Sequence, residues 1–110
     1  MNHTKIEIPF MERFREPMLS GKKTWTSRTR KYGEKGDTFT VFDATFEVVN
    51  VSQMRLDVVA YLHSKEEGLN SPEDFMATWK MIHPRTGYDP EQVVWVHEFK
   101  RVAVEGGCTP

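Results

Sequence analysis

The sequence predicts a single α+β domain, a small mixed β-barrel or curled sheet with helices at its side. Three observations point there. The chain has 110 residues, the usual size of one domain. Its segments read in the order helix, three strands, two helices, strand. The alternating strand–helix rhythm of a doubly wound sheet is absent.

The first helix is expected over 10–20, because Phe10, Phe14 and Met18 fall four apart and Leu19 joins their face. Pro17 argues against a regular helix there, and Gly21 is a natural stop. "KTWTSRT" follows and reads as a strand, since Thr and Trp favour extended backbone. "YGEKGD" has the glycines and charges of a turn. "TFTVFDATFEVVNVSQM" is the clearest β signal and fits two neighbouring antiparallel strands broken near Asp43–Ala44. "LDVVAYLHSKEEG" shifts to helical spacing, with Leu56, Val59, Ala60 and Leu62–His63 on or near one face, and Gly68 ends it. "NSPEDFMATWKMIHP" predicts a helix capped by Ser71, with Pro72 in its first turn and Glu73 and Asp74 complementing the helix dipole. Phe75, Trp79 and Ile82 form its expected buried stripe, and Pro84 stops it. "QVVWVHEFKRVAV" reads as a long final strand.

Apolar residues make up 38% and aromatics 12%, enough for one compact core. A net charge of −1 excludes a generally basic nucleic-acid binder, so any anion site must be local. The single cysteine, Cys108, cannot form an internal disulfide and favours a reducing compartment. It lies in a tail, 103–110, expected to be flexible and a poor place for a nucleophile. No apolar run approaches the roughly 20 residues of a membrane helix, and "MNHTKIEIPF" lacks a signal-peptide core. A cytoplasmic protein with no obligate protein partner is the expectation. No His/Cys/Asp cluster has zinc-site spacing, so neither metal nor cofactor is expected.

Six of the fifteen Lys and Arg residues fall between Ser20 and Asp37, interleaved with hydroxyls. Strand alternation puts Thr24, Thr26, Arg28 and Arg30 on one face, and Trp25, Ser27 and Thr29 on the other. The expected division sends Trp25 to the core and the Thr/Arg row to a cleft. Thr hydroxyls and Arg forks suit a phosphate or a polar heterocycle edge. A solvated edge strand guarded by its cations is the alternative. His83 reads as a helix C-terminal cation, and His97 as an ordinary strand histidine that could line the cleft. Trp79 reads as core, Trp95 as core or stacking platform, and Tyr32 and Tyr88 as tyrosines at the cleft rim.

"FMERFREPMLSGKKTWTSRTRKYGEKGDTF" resembles the opening of the ASCH domain family: an aromatic-rich helix, a small residue and Gly, a basic pair, Thr-x-Thr-x-Arg, and a Gly-Asp turn. "SKEEGLNSPEDFMATWKMIHP" resembles the family's Glu-Gly turn and following helix, and "VVWVHEFKRV" its closing strand. The resemblance spans about 10–102. It implies a PUA-like fold and a nucleoside- or RNA-related role. Within the family, the small N(4)-acetylcytidine amidohydrolases are most similar, and their catalytic Lys, Thr and Glu fall on Lys23, Thr26 and Glu67. Lys22, Thr24, Arg28 and Arg30 are then the expected substrate-binding residues. A non-catalytic RNA-binding module using the same basic cleft is the alternative reading. The spacing poses one geometric demand. Lys23 and Thr26 are three apart and face opposite ways on a regular strand, so they converge only if Lys23 still belongs to the turn after Gly21 or a bulge intervenes; the strand proper is expected to begin at Thr24 or Trp25. Trp25 and Ser27 depart from the aliphatic residues of the nearest relatives, and Glu66 stands beside Glu67 as a rival carboxylate.

Overall fold

The computed structural model describes residues 4–102. The expected flexible tail at 103–110, with Cys108, lies outside the described residues. A 3₁₀ turn at Glu12–Phe14 leads into α1 (Arg15–Ser20). Strands β1 (Trp25–Arg28), β2 (Thr38–Val41) and β3 (Ala44–Arg55) follow, then α2 (Leu56–His63), α3 (Pro72–Ile82) and β4 (Val93–Arg101). The strands form one curled antiparallel sheet in the order β1-β4-β3-β2, with β1 at an edge. Among the described residues, parallel pairing enters only where Lys5 bridges Thr38.

The first helix is shorter than the spacing predicts, because the chain enters it through the 3₁₀ turn. Pro17 is accommodated in the first turn of α1, where backbone N–H groups have no intrahelical partner to lose. Gly21 then closes the helix at φ 87°, a left-handed C-cap that glycine adopts without strain. The hairpin between β2 and β3 turns on Phe42 and Asp43, both at positive φ. That conformation matches the right-handed twist of the two strands. β3 carries a register shift between Val48 and Asn50, which bends the sheet.

α2 buries Leu56, Val59 and Ala60. Leu62 was expected near that face but is 70% exposed, since it falls off the i, i+3, i+4 stripe. α3 starts where the sequence places it, with Ser71 Oγ accepting from the Asp74 N–H at 3.1 Å. It buries Phe75, Thr78 and Trp79, whereas Ile82 ends half-exposed at the last turn. Phe39, Phe46 and Phe99 form the aromatic centre of the core, with ring centroids 5.4–5.5 Å apart, and Phe10 stacks on Phe39. β4, paired on both sides, buries Val94, Val96, His97 and Phe99. Among the described residues, no helix is long and apolar enough to cross a membrane.

Candidate active site

The edge strand, the 3₁₀ turn, α3 and the turn after α2 enclose a cavity of about 400 Å³. Its apolar walls come from Phe10 and Phe14 on one side, and from Leu69, Phe75 and Trp79 on the other. Lys23, Thr26, Ser27, Arg28 and Glu67 supply its polar wall.

Lys23 precedes the strand. Its N–H bonds to Pro17 O at 2.9 Å, so it belongs to the turn after α1 and is free of strand alternation. That is how Lys23 and Thr26, three apart, come to line one cavity. The ammonium donates to Trp25 O and to Glu67 O, both at 2.7 Å, and lies 3.5 Å from Glu67 Oε1. It also sits 4.5 Å above the Phe14 ring. Lys23 is 3% exposed. Burial pushes its pKa from the ordinary 10.5 down to about 8; Glu67 opposes that drop and Arg28 adds to it.

Glu67 is 5% exposed and enters from the turn between α2 and α3. Its Oε2 accepts from Ser27 Oγ at 2.6 Å. Gly68 follows at φ 84°, and a Cβ there would lie 2.8 Å from Lys23 Cβ. Glycine is therefore required twice over, by the backbone and by the lysine stem packed against it. Glu66 faces away: its side chain approaches His63 at 3.5 Å, while its backbone carbonyl accepts from Thr24 and Trp25.

Thr26 is 4% exposed, and its Oγ1 accepts from Arg28 Nε at 2.9 Å. The hydroxyl proton remains available to an acceptor. Arg28 also donates to Pro9 O at 2.6 Å and packs over the rings of Phe10 and Tyr32. Burial lowers its pKa, with Tyr32 and Glu67 opposing. Behind Thr26, His97 is fully buried. Its Nε2 accepts the Tyr32 N–H at 3.0 Å, which places the ring hydrogen on Nδ1, 3.4 Å from Thr26 O. Burial lowers its pKa, in keeping with a neutral ring that pins Tyr32 and β1 together.

The structure brings Lys23, Thr26, Glu67 and Arg28 to the cavity and leaves Lys22, Thr24 and Arg30 outside it. Lys22 is exposed in the turn. Thr24 lies before the strand, with both backbone groups engaged by Glu66 and Phe99. Arg30 lies past the strand end, exposed, with its guanidinium 4.0 Å from the Tyr32 ring centre. The expected four-residue Thr/Arg row fails because β1 is only Trp25–Arg28. Trp25 is half-buried and stacks on His63 at 4.2 Å rather than entering the core. Tyr32 lines the cavity and Tyr88 does not. Ser27, which strand alternation turns away with Trp25, instead donates to Glu67. A serine standing where an apolar residue is expected was the signal. Among the described residues, no three His, Cys, Asp or Glu side chains gather into a metal site.

No family model matches the chain. A curated N(4)-acetylcytidine amidohydrolase from Haemophilus influenzae is 31% identical over 105 residues, covering 87% of this chain and 95% of that protein. One from Escherichia fergusonii is 30% identical over 76 residues, covering 61% and 74%. The crystallised ASCH domain from Lactobacillus crispatus superposes with a TM-score of 0.66 at 14% identity, covering 89% of this chain and 79% of that one. The fold is therefore that of an ASCH domain.

Proposed function

Because this chain belongs to the N(4)-acetylcytidine amidohydrolase family, small proteins with the ASCH-domain fold, we propose that its cavity hydrolyses the amide of N(4)-acetylcytidine, or of a related modified nucleoside, to the free amine and acetate. The observation that supports this most directly is the meeting of Lys23, Thr26 and Glu67 in one cavity, with the lysine held near 8.

Amide hydrolysis needs a nucleophile, a proton carrier and a place for the oxyanion. Thr26 is the nucleophile. Arg28 already donates to Thr26 Oγ1, so positive charge stands beside the oxygen as it loses its proton. Lys23 is the base. Two of its nitrogen positions are taken by the carbonyls of Trp25 and Glu67, leaving the third to take and return a proton. In the first half-reaction Thr26 Oγ bonds to the acetyl carbon and its proton passes to Lys23. The C–N bond then breaks, and the leaving cytidine nitrogen takes that proton back. In the second, water attacks the acetyl-threonine ester and gives a proton to Glu67. Acetate leaves as the proton returns to Thr26. The Arg28 guanidinium, which lies over the rings of Phe10 and Tyr32 in the cavity wall, is the charge available to the oxyanion.

The test is incubation of the pure protein with N(4)-acetylcytidine while cytidine release is followed. Turnover should occur and should fall sharply in Lys23→Ala and Thr26→Ala. Wild-type protein without turnover, or variants as active as wild type, would sink the proposal. The competing reading, an RNA-binding module without chemistry, draws on the exposed cations Lys22 and Arg30 at the outer surface. It predicts salt-sensitive retention of short RNA with no acetate released.

A further inference from the structure

One polar group in the cavity wall has no part in the reaction as proposed. Ser27 is buried, and its hydroxyl donates to Glu67 Oε2 at 2.6 Å, a short bond to a carboxylate. The other oxygen, Oε1, stands 3.5 Å from Lys23 Nζ. A close ammonium–carboxylate contact is about 2.8 Å. Lys23 instead makes its two short bonds to backbone carbonyls. The carboxylate is thus held by a neutral hydroxyl on one side and kept at arm's length from the cation on the other.

We propose that Ser27 is a positioning residue for Glu67: its hydroxyl ties the carboxylate back and keeps the Lys23–Glu67 ion pair long. This rests on the reading of Lys23 as the general base. A carboxylate that closed fully onto the ammonium would hold the proton there, and a lysine that keeps its proton cannot take one from Thr26. The charged and titratable groups that face Lys23 come from several elements. Glu67 stands in the turn after α2, Arg28 on β1, and Arg13 in the 3₁₀ turn, where it lies 3.9 Å from Asp74 of α3. His83 and Tyr32 line other parts of the cavity, and His97 of β4 lies behind Thr26. Among them Glu67 is the anion that acts on Lys23, and Arg28 and Arg13 act against it.

Shortening the contact from 3.5 Å to about 2.8 Å, in surroundings with an effective dielectric constant of about 20, strengthens the hold on the proton roughly tenfold. Ser27→Ala should therefore move the Lys23 titration up by about one pH unit. Turnover at pH 7 should fall roughly tenfold and recover at alkaline pH, where the lysine is neutral in both proteins. Ser27→Thr, which keeps the hydroxyl, should behave as wild type. In a Glu67→Gln background, Ser27→Ala should shift nothing further.

The Lys23 titration is read directly by NMR of its side-chain carbon or nitrogen signals, with the pH–rate profile measured in parallel. The NMR arm needs no turnover, so it decides the role of Ser27 even where the amidohydrolase reading fails. An unmoved Lys23 titration in Ser27→Ala overturns the proposal. So does a shift that persists in the Glu67→Gln background. An equal loss of rate at every pH with Lys23 unmoved also overturns it, and would make Ser27 a reacting group.

Discussion

Replacing Lys23 by methionine tests two consequences of one buried amine. The side chain is 3% exposed and titrates near 8 when folded, against 10.5 when free. Between those values the unfolded chain binds more protons than the folded one, so folding stability rises with pH across that window. The cost of keeping the buried ammonium is present below about pH 8 and is relieved as pH climbs to 10.5. The gap of 2.5 pH units corresponds to about 3 kcal/mol at about 1.36 kcal/mol per unit. Urea denaturation at pH 7 and at pH 10.5 should show wild type gaining about 3 kcal/mol relative to Lys23→Met, which lacks the titrating group. Taking the difference between the proteins cancels the other lysines and tyrosines that titrate there. On the proposed reaction the same amine sets the rate. Roughly a tenth of it is neutral at pH 7, so the wild-type rate should climb about tenfold on going well above pH 8. Lys23→Met should lose on the order of a hundred- to ten-thousand-fold and show no such limb. A stability difference that stays flat from pH 7 to 10.5 would refute the reasoning about burial. A variant that retains the alkaline rise would refute the role of the amine.

Thr26→Val should remove turnover, and the double variant Thr26→Val/Lys23→Met should be scarcely worse than either single one, because the two groups act as a unit; additive losses in single-turnover assays would count against that. Arg28→Gln removes a cation that depresses Lys23, so the rate limb should move to higher pH while the Michaelis constant rises; an unmoved limb would deny the coupling. Gly68→Ala combines a left-handed backbone position with a Cβ 2.8 Å from the Lys23 stem, and should lower stability by about 2 kcal/mol while displacing the lysine. A thermal melt and the Lys23 NMR signal check both effects. Ser71→Ala removes the oxygen that caps α3, and should cost about 1 kcal/mol with activity intact.

The order and type of every strand and α-helix could be read from the sequence, since each rests on a local signal: the Ser71–Pro72 start of α3, the alternation of β2 and β3, the Gly21 stop; the 3₁₀ turn before α1 could not. What escaped depends on where one element meets another. Leu62 looked buried because apolar residues cluster there, yet α2 turns only the Leu56–Val59–Ala60 stripe inward. The Thr/Arg row looked continuous because alternation was assumed to run past both ends of β1; Thr24 and Arg30 lie beyond those ends and point elsewhere. Lys23 and Thr26 could be paired only through the family resemblance; their odd spacing spoke against the pairing unless Lys23 lay in the turn or a bulge intervened, and the structure has Lys23 in the turn. The partners of Glu67 were out of reach. A contact across 40 residues leaves no periodic trace, and Ser27 registers only as a polar residue in an apolar position.

The site also explains why this chain buries an ammonium and a carboxylate that a core of Leu and Phe would not need. Such a pair rarely adds stability, because removing both charges from water costs more than their attraction returns unless every remaining bond is filled. Here the filling is done by neutral groups. Two carbonyls hold the lysine and one serine hydroxyl holds the glutamate, while the direct ion pair is left at 3.5 Å. A lysine–carboxylate pair built for stability would be short, near about 2.8 Å. Solvating each charge separately, and leaving the proton between them loosely held, gives up stability in order to keep a lysine that can change its charge near neutral pH. An edge strand suits that purpose: β1 pairs with β4 on one side only, which leaves its other side open for the turn after α2 to dock Glu67 against it.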